Sequence, residues 1–144
     1  MIRCADMNDL QKVTALGLRL WPGYERKELA GEFEALLRDP EARVFLLEEG
    51  GKPSGFAQCQ LRHDYVEETA GSPVGYLEGI CVSGECRGRG CARALLRACE
   101  DCAREMGCRE FAGDCELNNT DSLRFHLHTG FEEANRIICF RKTL

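Results

Sequence analysis

The chain has 144 residues, 44% of them apolar, and a formal net charge of −5. That length supports one domain, residues 1–144, with a single sizeable core. The acidic balance argues against nucleic acid or an anionic membrane as partner, because both reward a basic surface; a cationic small molecule suits it, although mild acidity also simply aids solubility.

Ile2 to Ala5 reads as a short strand, and Asp6 to Asp9 offer N-caps for a helix over about residues 8–20, where Leu10, Val13, Leu16 and Leu20 are helix-spaced. Trp21-Pro22-Gly23-Tyr24 stops that helix, since Pro disfavours the α conformation in the residue before it. The two aromatics in this break suit either a clasp between helices or the wall of a ligand site. Leu29, Phe33, Leu36 and Leu37 predict a second amphipathic helix ending near Asp39-Pro40. Arg43 to Glu49 and Ser54 to Arg62 read as a hairpin, and His63 to Pro73 as a polar loop longer than a hairpin needs, of the kind that often holds ligand.

Val74 to Val82 is apolar on both faces except at Glu78, which marks a central strand covered on two sides. A carboxylate there is costly unless a specific donor meets it, so Glu78 is a candidate functional group. Gly79 beside it suits a bulge that would turn Glu78 out of the core and into a cleft.

Arg87-Gly88-Arg89-Gly90-Cys91-Ala92 then leads into a helix whose inner face carries Leu95, Leu96, Cys99, Ala103 and Met106, with Gly107 as its stop. Glycines allow several main-chain N–H groups to face one point, and the helix dipole adds positive potential; a diphosphate fits such a loop. A P-loop hydrolase is disfavoured, because Gly88-Arg89-Gly90 is not followed by Lys and Ser or Thr. Arg109 to Asp114 reads as the next strand with Asp114 at its C-terminal end, either a functional carboxylate or a turn residue. Asn118 to Asp121 opens a last helix that Gly130-Phe131 closes, and Ile137 to Lys142 reads as a final strand.

The loop residues Arg87, Gly90 and Ala92 resemble the acyl-coenzyme A pyrophosphate motif of the GCN5-related N-acetyltransferases (GNAT), and Asn119 with Gly130-Phe131 is similar to that family's later signature. The resemblance implies an α+β, three-layer fold with a mixed, mostly antiparallel sheet of six or seven strands and about four helices. It also implies acetyl-coenzyme A as cosubstrate, held by Ile80, Cys81, Val82, Arg87 to Ala92 and Asn119. Leu20 to Gly23, Arg62 to Val66 and Leu77 to Ile80 resemble segments of the aminoglycoside 6'-N-acetyltransferases, which implies acetyl transfer to an aminoglycoside 6'-amine by a homodimeric resistance enzyme. In that group the positions matching Trp21, Tyr65, Glu78 and Asp114 line the antibiotic site, and Tyr24 is placed with them here.

The residues suit that reaction. An amine must be neutral to attack a thioester, so Glu78 and Asp114 are expected to hold the ammonium and take its proton, while Trp21 and Tyr65 add stacking and cation–π contact. A main-chain N–H near Ile80 or Cys81 is expected to meet the oxyanion. Many family members place a general-acid Tyr four residues before the closing glycine. Here that position is His126, which is either an acid for the leaving thiolate or a helix residue near the cofactor or facing solvent. Two other functions remain open at this point: a GNAT enzyme acting on a polyamine or protein N-terminus, and a non-catalytic coenzyme A sensor.

Met1 to Asp6 lacks the features of a signal peptide and no apolar run is long enough to span a bilayer, so a cytoplasmic location is expected. The ten cysteines then read as thiols in a reducing compartment. Cys59, Cys81 and Cys139 lie in apolar runs, and the Cys99-x-x-Cys102 pair has no second pair at zinc spacing, so no metal is expected.

Overall fold

The computed structural model describes all 144 residues. The elements run β1 (Ile2–Cys4), α1 (Leu10–Leu20), α2 (Arg26–Arg38), β2 (Ala42–Glu49), β3 (Lys52–Arg62), β4 (Val74–Val82), α3 (Cys91–Glu105), β5 (Phe111–Gly113) and α4 (Thr120–His128). The five strands form one sheet in the order β1-β2-β3-β4-β5, antiparallel except for the parallel β4–β5 pair. The mixed, mostly antiparallel sheet and four helices match the expected α+β architecture. No helix is long and apolar enough to cross a membrane.

Alternation along the strands separates two cores. Val44, Leu46 and Phe56 face α1 and α2, where Val13, Leu16, Leu29 and Phe33 complete one cluster. Leu47, Ala57, Cys59 and Leu77 face α3 and pack on Leu95, Leu96 and Cys99. Phe33 and Phe56 are fully buried and meet edge to face at 5.8 Å between centroids, each burial contributing roughly 2–3 kcal/mol. Gly17 lets α1 and α2 approach, since a Cβ there would lie 2.6 Å from the Phe33 ring.

Helix ends follow the sequence signals. The Asp6 side chain accepts from the Asn8 N–H at 2.8 Å and Asp9 accepts from the Asp6 N–H at 3.1 Å, starting the helical segment that continues into α1. Asn119 Oδ1 accepts from the Ser122 N–H at 3.1 Å to cap α4. Gly107 and Gly130 close α3 and α4 with φ of +88° and +99°, conformations that favour glycine.

One expected strand is absent. Ile137 to Lys142 pairs with nothing in the chain, and Ile137, Ile138 and Phe140 are 66%, 81% and 91% exposed, which accounts for five strands in place of six or seven. Strand propensity describes how side chains fit a pleated surface, but a strand exists only where a ladder partner takes its N–H and C=O groups. Cys139, expected in an apolar setting, is exposed with the rest of this segment.

Candidate active site

The site is built around an irregularity in β4. Across the β3–β4 ladder Gln58 faces Gly79 and Cys59 faces Leu77, so Glu78 is an extra residue with no partner on β3. This is the bulge expected from Gly79. A Cβ on Gly79 would sit 2.6 Å from the indole of Trp21, so the glycine makes room for that ring. Trp21 in turn packs against Phe56 at 6.0 Å and Phe33 at 6.5 Å. It is therefore both the clasp between helices and the wall of a cleft.

That cleft, about 270 Å³, is lined by Trp21, Tyr24, Glu32, Phe33, Gln58 and Glu78 among others. It brings together three of the expected substrate residues. Tyr65 lies on the long loop, 73% exposed, with its hydroxyl accepting from the Glu68 N–H at 3.1 Å. It does not line the cleft. Gln58 and Glu32 escaped the sequence reading; Gln58 had a signal, as a polar residue amid the apolar run of β3, whereas Glu32 looks like any solvated position of an amphipathic helix.

Glu78 has a specific donor. Arg62 at the end of β3 bonds it through Nη2 to Oε1 at 2.8 Å and to Oε2 at 3.1 Å, and through Nε to Oε1 at 3.1 Å. The guanidinium carbon stands 3.4 Å from the centroid of the Tyr76 ring. The Tyr76 hydroxyl donates to Asp114 Oδ2. Burial, reinforced by that carboxylate, pushes the Tyr76 phenol well above its usual range, so it stays a donor at neutral pH. Arg62 and Tyr76 thus join the two carboxylates that the sequence singled out. Asp114 follows β5 directly, and since β5 pairs with β4 only from Gly75 to Leu77, the two carboxylates stand where these neighbouring strands part.

Beyond that point β4 from Glu78 to Val82 has no neighbour on its β5 side, which leaves one edge of its main chain open beside Ile80, Cys81 and Val82. The open edge leads to the glycine-rich loop. There Gly88 and Gly90 have φ of +72° and +78°, the N–H groups of Gly88, Arg89 and Gly90 meet no main-chain acceptor, and Cys91 and Ala92 begin α3. Arg87 is exposed and makes no ion pair, while Arg89 Nη1 bonds Glu49 at 2.7 Å. The loop thus leaves unpaired main-chain donors at a helix N-terminus with a free cation beside them, a fit for the diphosphate of a coenzyme.

His126 lies on α4 with Nδ1 2.7 Å from the Ser122 carbonyl, to which it donates, and with Nε2 buried and unpartnered. Nε2 faces Gly113, and the ring lies 4.9 Å from that of Phe131. The residue as a whole is half-buried, with its Nε2 end turned inward.

A family model described as the acetyltransferase (GNAT) family matches residues 8–131. The chain belongs to the GNAT family. Its similarity to individual members spans the whole length. An aminoglycoside N(6')-acetyltransferase type 1 from Stenotrophomonas maltophilia is 40% identical, covering 99% of this chain and 93% of that protein. One from Serratia marcescens is 35% identical, with 100% and 99% covered. Among solved structures, the aminoglycoside N-acetyltransferase AAC(6')-Iy in complex with coenzyme A superposes with a TM-score of 0.97 at 36% identity, over 100% of this GNAT chain and 95% of that one. The apo aminoglycoside 6'-N-acetyltransferase AAC(6')-IG from Acinetobacter haemolyticus gives 0.92 at 31%, over 100% and 99%.

Proposed function

We infer that this protein is an aminoglycoside 6'-N-acetyltransferase that uses acetyl-coenzyme A and confers resistance by acetylating the antibiotic's 6'-amine. The observation that carries the reading is the bulge at Glu78, which sets a carboxylate in an aromatic-walled cleft beside the open edge of β4. Full-length similarity to curated enzymes of that activity supports it.

Acetyl-coenzyme A supplies the activated acetyl thioester. The loop from Arg87 to Ala92 binds its diphosphate through main-chain N–H groups and the Arg87 charge, and Ile80, Cys81 and Val82 border the acyl arm. Asn119 contributes by capping α4 near the cofactor. Glu78 holds the acceptor ammonium, with Glu32 and Asp114 adding negative charge for a polycation and Trp21 and Tyr24 adding ring contacts, while Tyr65 on the long loop meets only parts of a substrate that project beyond the cleft. Glu78 then accepts a proton from the ammonium, directly or through water. The neutral amine adds to the thioester carbonyl to form the N–C bond and a tetrahedral oxyanion, whose collapse breaks the C–S bond and expels the coenzyme A thiolate, while the second proton of the nitrogen passes to that thiolate or to water. A main-chain N–H on the open edge near Ile80 or Cys81 meets the oxyanion.

For His126 the geometry favours packing over proton delivery. Nδ1 is engaged with the Ser122 carbonyl, and Nε2 is buried beside Gly113 with no hydrogen-bond partner. A coenzyme A thiolate, with a parent pKa of about 8.5 on the cysteine scale, leaves tolerably without an acid.

The working enzyme is a homodimer in this reading. The exposed run Ile137 to Phe140 has strand-forming side chains and no ladder partner in its own chain, and a second copy offers one. Ten free thiols and dependence on coenzyme A suit the cytoplasm.

The assignment is tested by mass and NMR analysis of products formed from acetyl-coenzyme A and a panel of amines. A 6'-amino aminoglycoside should gain one acetyl group on the 6'-nitrogen, while a 6'-hydroxy analogue, spermidine and an N-terminal peptide should stay unmodified. Turnover of spermidine or peptide in preference to the aminoglycoside would replace the substrate assignment.

A further inference from the structure

Outside the acetyl-transfer cleft, one group of side chains has metal-ligating chemistry. Glu49 at the end of β2, Cys86 in the short turn Gly84–Cys86 and Cys91 at the first residue of α3 each place one donor atom within 4.8 Å of the others. The two cysteines bracket the loop Arg87-Gly88-Arg89-Gly90. They are five residues apart, and only the reversal of the chain through two positive-φ glycines brings the sulfurs together.

The surroundings of the three donors resemble a built site. Ser83 Oγ lies 3.3 Å from Cys86 Sγ and donates to it, and Arg89 Nη1 holds Glu49 Oε2 at 2.7 Å. Such outer hydrogen bonds orient ligands. Cys86 is 1% exposed and closes the inner side, whereas Glu49 keeps a third of its side-chain surface and Cys91 is half-buried, leaving an entry from solvent.

Two thiolates and a carboxylate suit a borderline-soft cation that takes tetrahedral S and O ligands, and they do not suit calcium or magnesium, which select oxygen. Ligand bonds of about 2.3 Å to sulfur and 2.0 Å to oxygen put neighbouring donors about 3.5 Å apart, so closure needs shifts of roughly an ångström.

We propose that Glu49, Cys86 and Cys91 bind one zinc-like divalent cation that pins both ends of the coenzyme loop to the end of β2, with water as the fourth ligand. Binding releases two thiol protons to solvent, so the three side chains and the ion together carry the same charge as the three side chains before. The loop keeps its attraction for a diphosphate and loses mobility. The ion takes no part in acetyl transfer; it staples the strand that precedes the hairpin turn to the segment that receives the diphosphate.

Co²⁺ is the probe. Titrated into reduced protein freed of metal and of small thiols, it should give a sulfur-to-cobalt charge-transfer band and intense tetrahedral visible bands that saturate at one equivalent and bleach with Zn²⁺. Zn²⁺ should also raise Tm. Cys91→Ser and Glu49→Gln should each weaken Co²⁺ binding more than tenfold and abolish the Tm shift, while Cys102→Ser leaves both intact. Absence of the bands in the unmodified protein, or bands of equal affinity in Cys91→Ser and Glu49→Gln, would overturn the site.

Discussion

Glu78 is half of a pair, and its partner sets what the carboxylate can do. Arg62 grips both oxygens, so an ammonium that binds there, as proposed, has to share the carboxylate with a cation already in place. The bidentate fork fixes the direction of Glu78, and a lysine cannot reproduce that geometry. Arg62→Gln and Arg62→Lys are therefore expected to lower kcat/KM for the aminoglycoside about tenfold, equivalent to about 1.4 kcal/mol, with the affinity for coenzyme A unchanged. Steady-state kinetics beside a coenzyme A titration checks this, and an unchanged kcat/KM would show the pair to be only structural. Glu78 was legible in the sequence because a charge in an apolar strand stands out by itself. Arg62 was not, because it lies 16 residues away at the end of another strand, and only the register of the hairpin and the bulge bring the two together.

At the level of elements, helix ends and turns were the most legible features, since each is written in a few adjacent residues: the acidic cap before α1, Gly107 after α3, and Asn119 and Gly130 around α4. The network that ties the first elements together was less so. Asp9, buried before α1, accepts from Arg3 of β1 at 2.6 and 2.8 Å, and Lys12 and Glu48 of β2 extend the ion pairs. The Arg3 hydrogen bonds hold the Asp9 carboxyl far below the usual carboxylate range. A carboxyl depressed in the folded state binds fewer protons there than in the unfolded chain, so its contribution is complete above the unfolded value near 3.9 and fades as pH falls below it. Asp9→Asn should cost about 1–3 kcal/mol in urea unfolding from pH 5 to 8, through loss of the charged hydrogen bonds and the cap, and the gap between variant and parent should shrink below pH 4. A gap that grew on acidification would contradict this placement of the charge.

The whole molecule was legible as a GNAT fold, because the order of elements and the coenzyme loop are local patterns that can be read in sequence along one chain. The final strand misled because its residue pattern carries no information about who supplies the ladder. If a second copy does, removing residues 137–144 should convert the protein from dimer to monomer in sedimentation equilibrium, while a dimer that survives truncation would place the interface elsewhere. The central functional claim is that the bulge at Glu78 presents the acceptor amine to the thioester held along β4. Its most direct test is kcat/KM for a 6'-amino aminoglycoside in Glu78→Gln, measured with the affinity for acetyl-coenzyme A and compared with Asp114→Asn and His126→Gln. The expected result is a loss of at least tenfold for Glu78→Gln and for Asp114→Asn, a change of no more than about threefold for His126→Gln, and unaltered cosubstrate binding in all three. Near-normal turnover by Glu78→Gln with intact cosubstrate binding would contradict the claim.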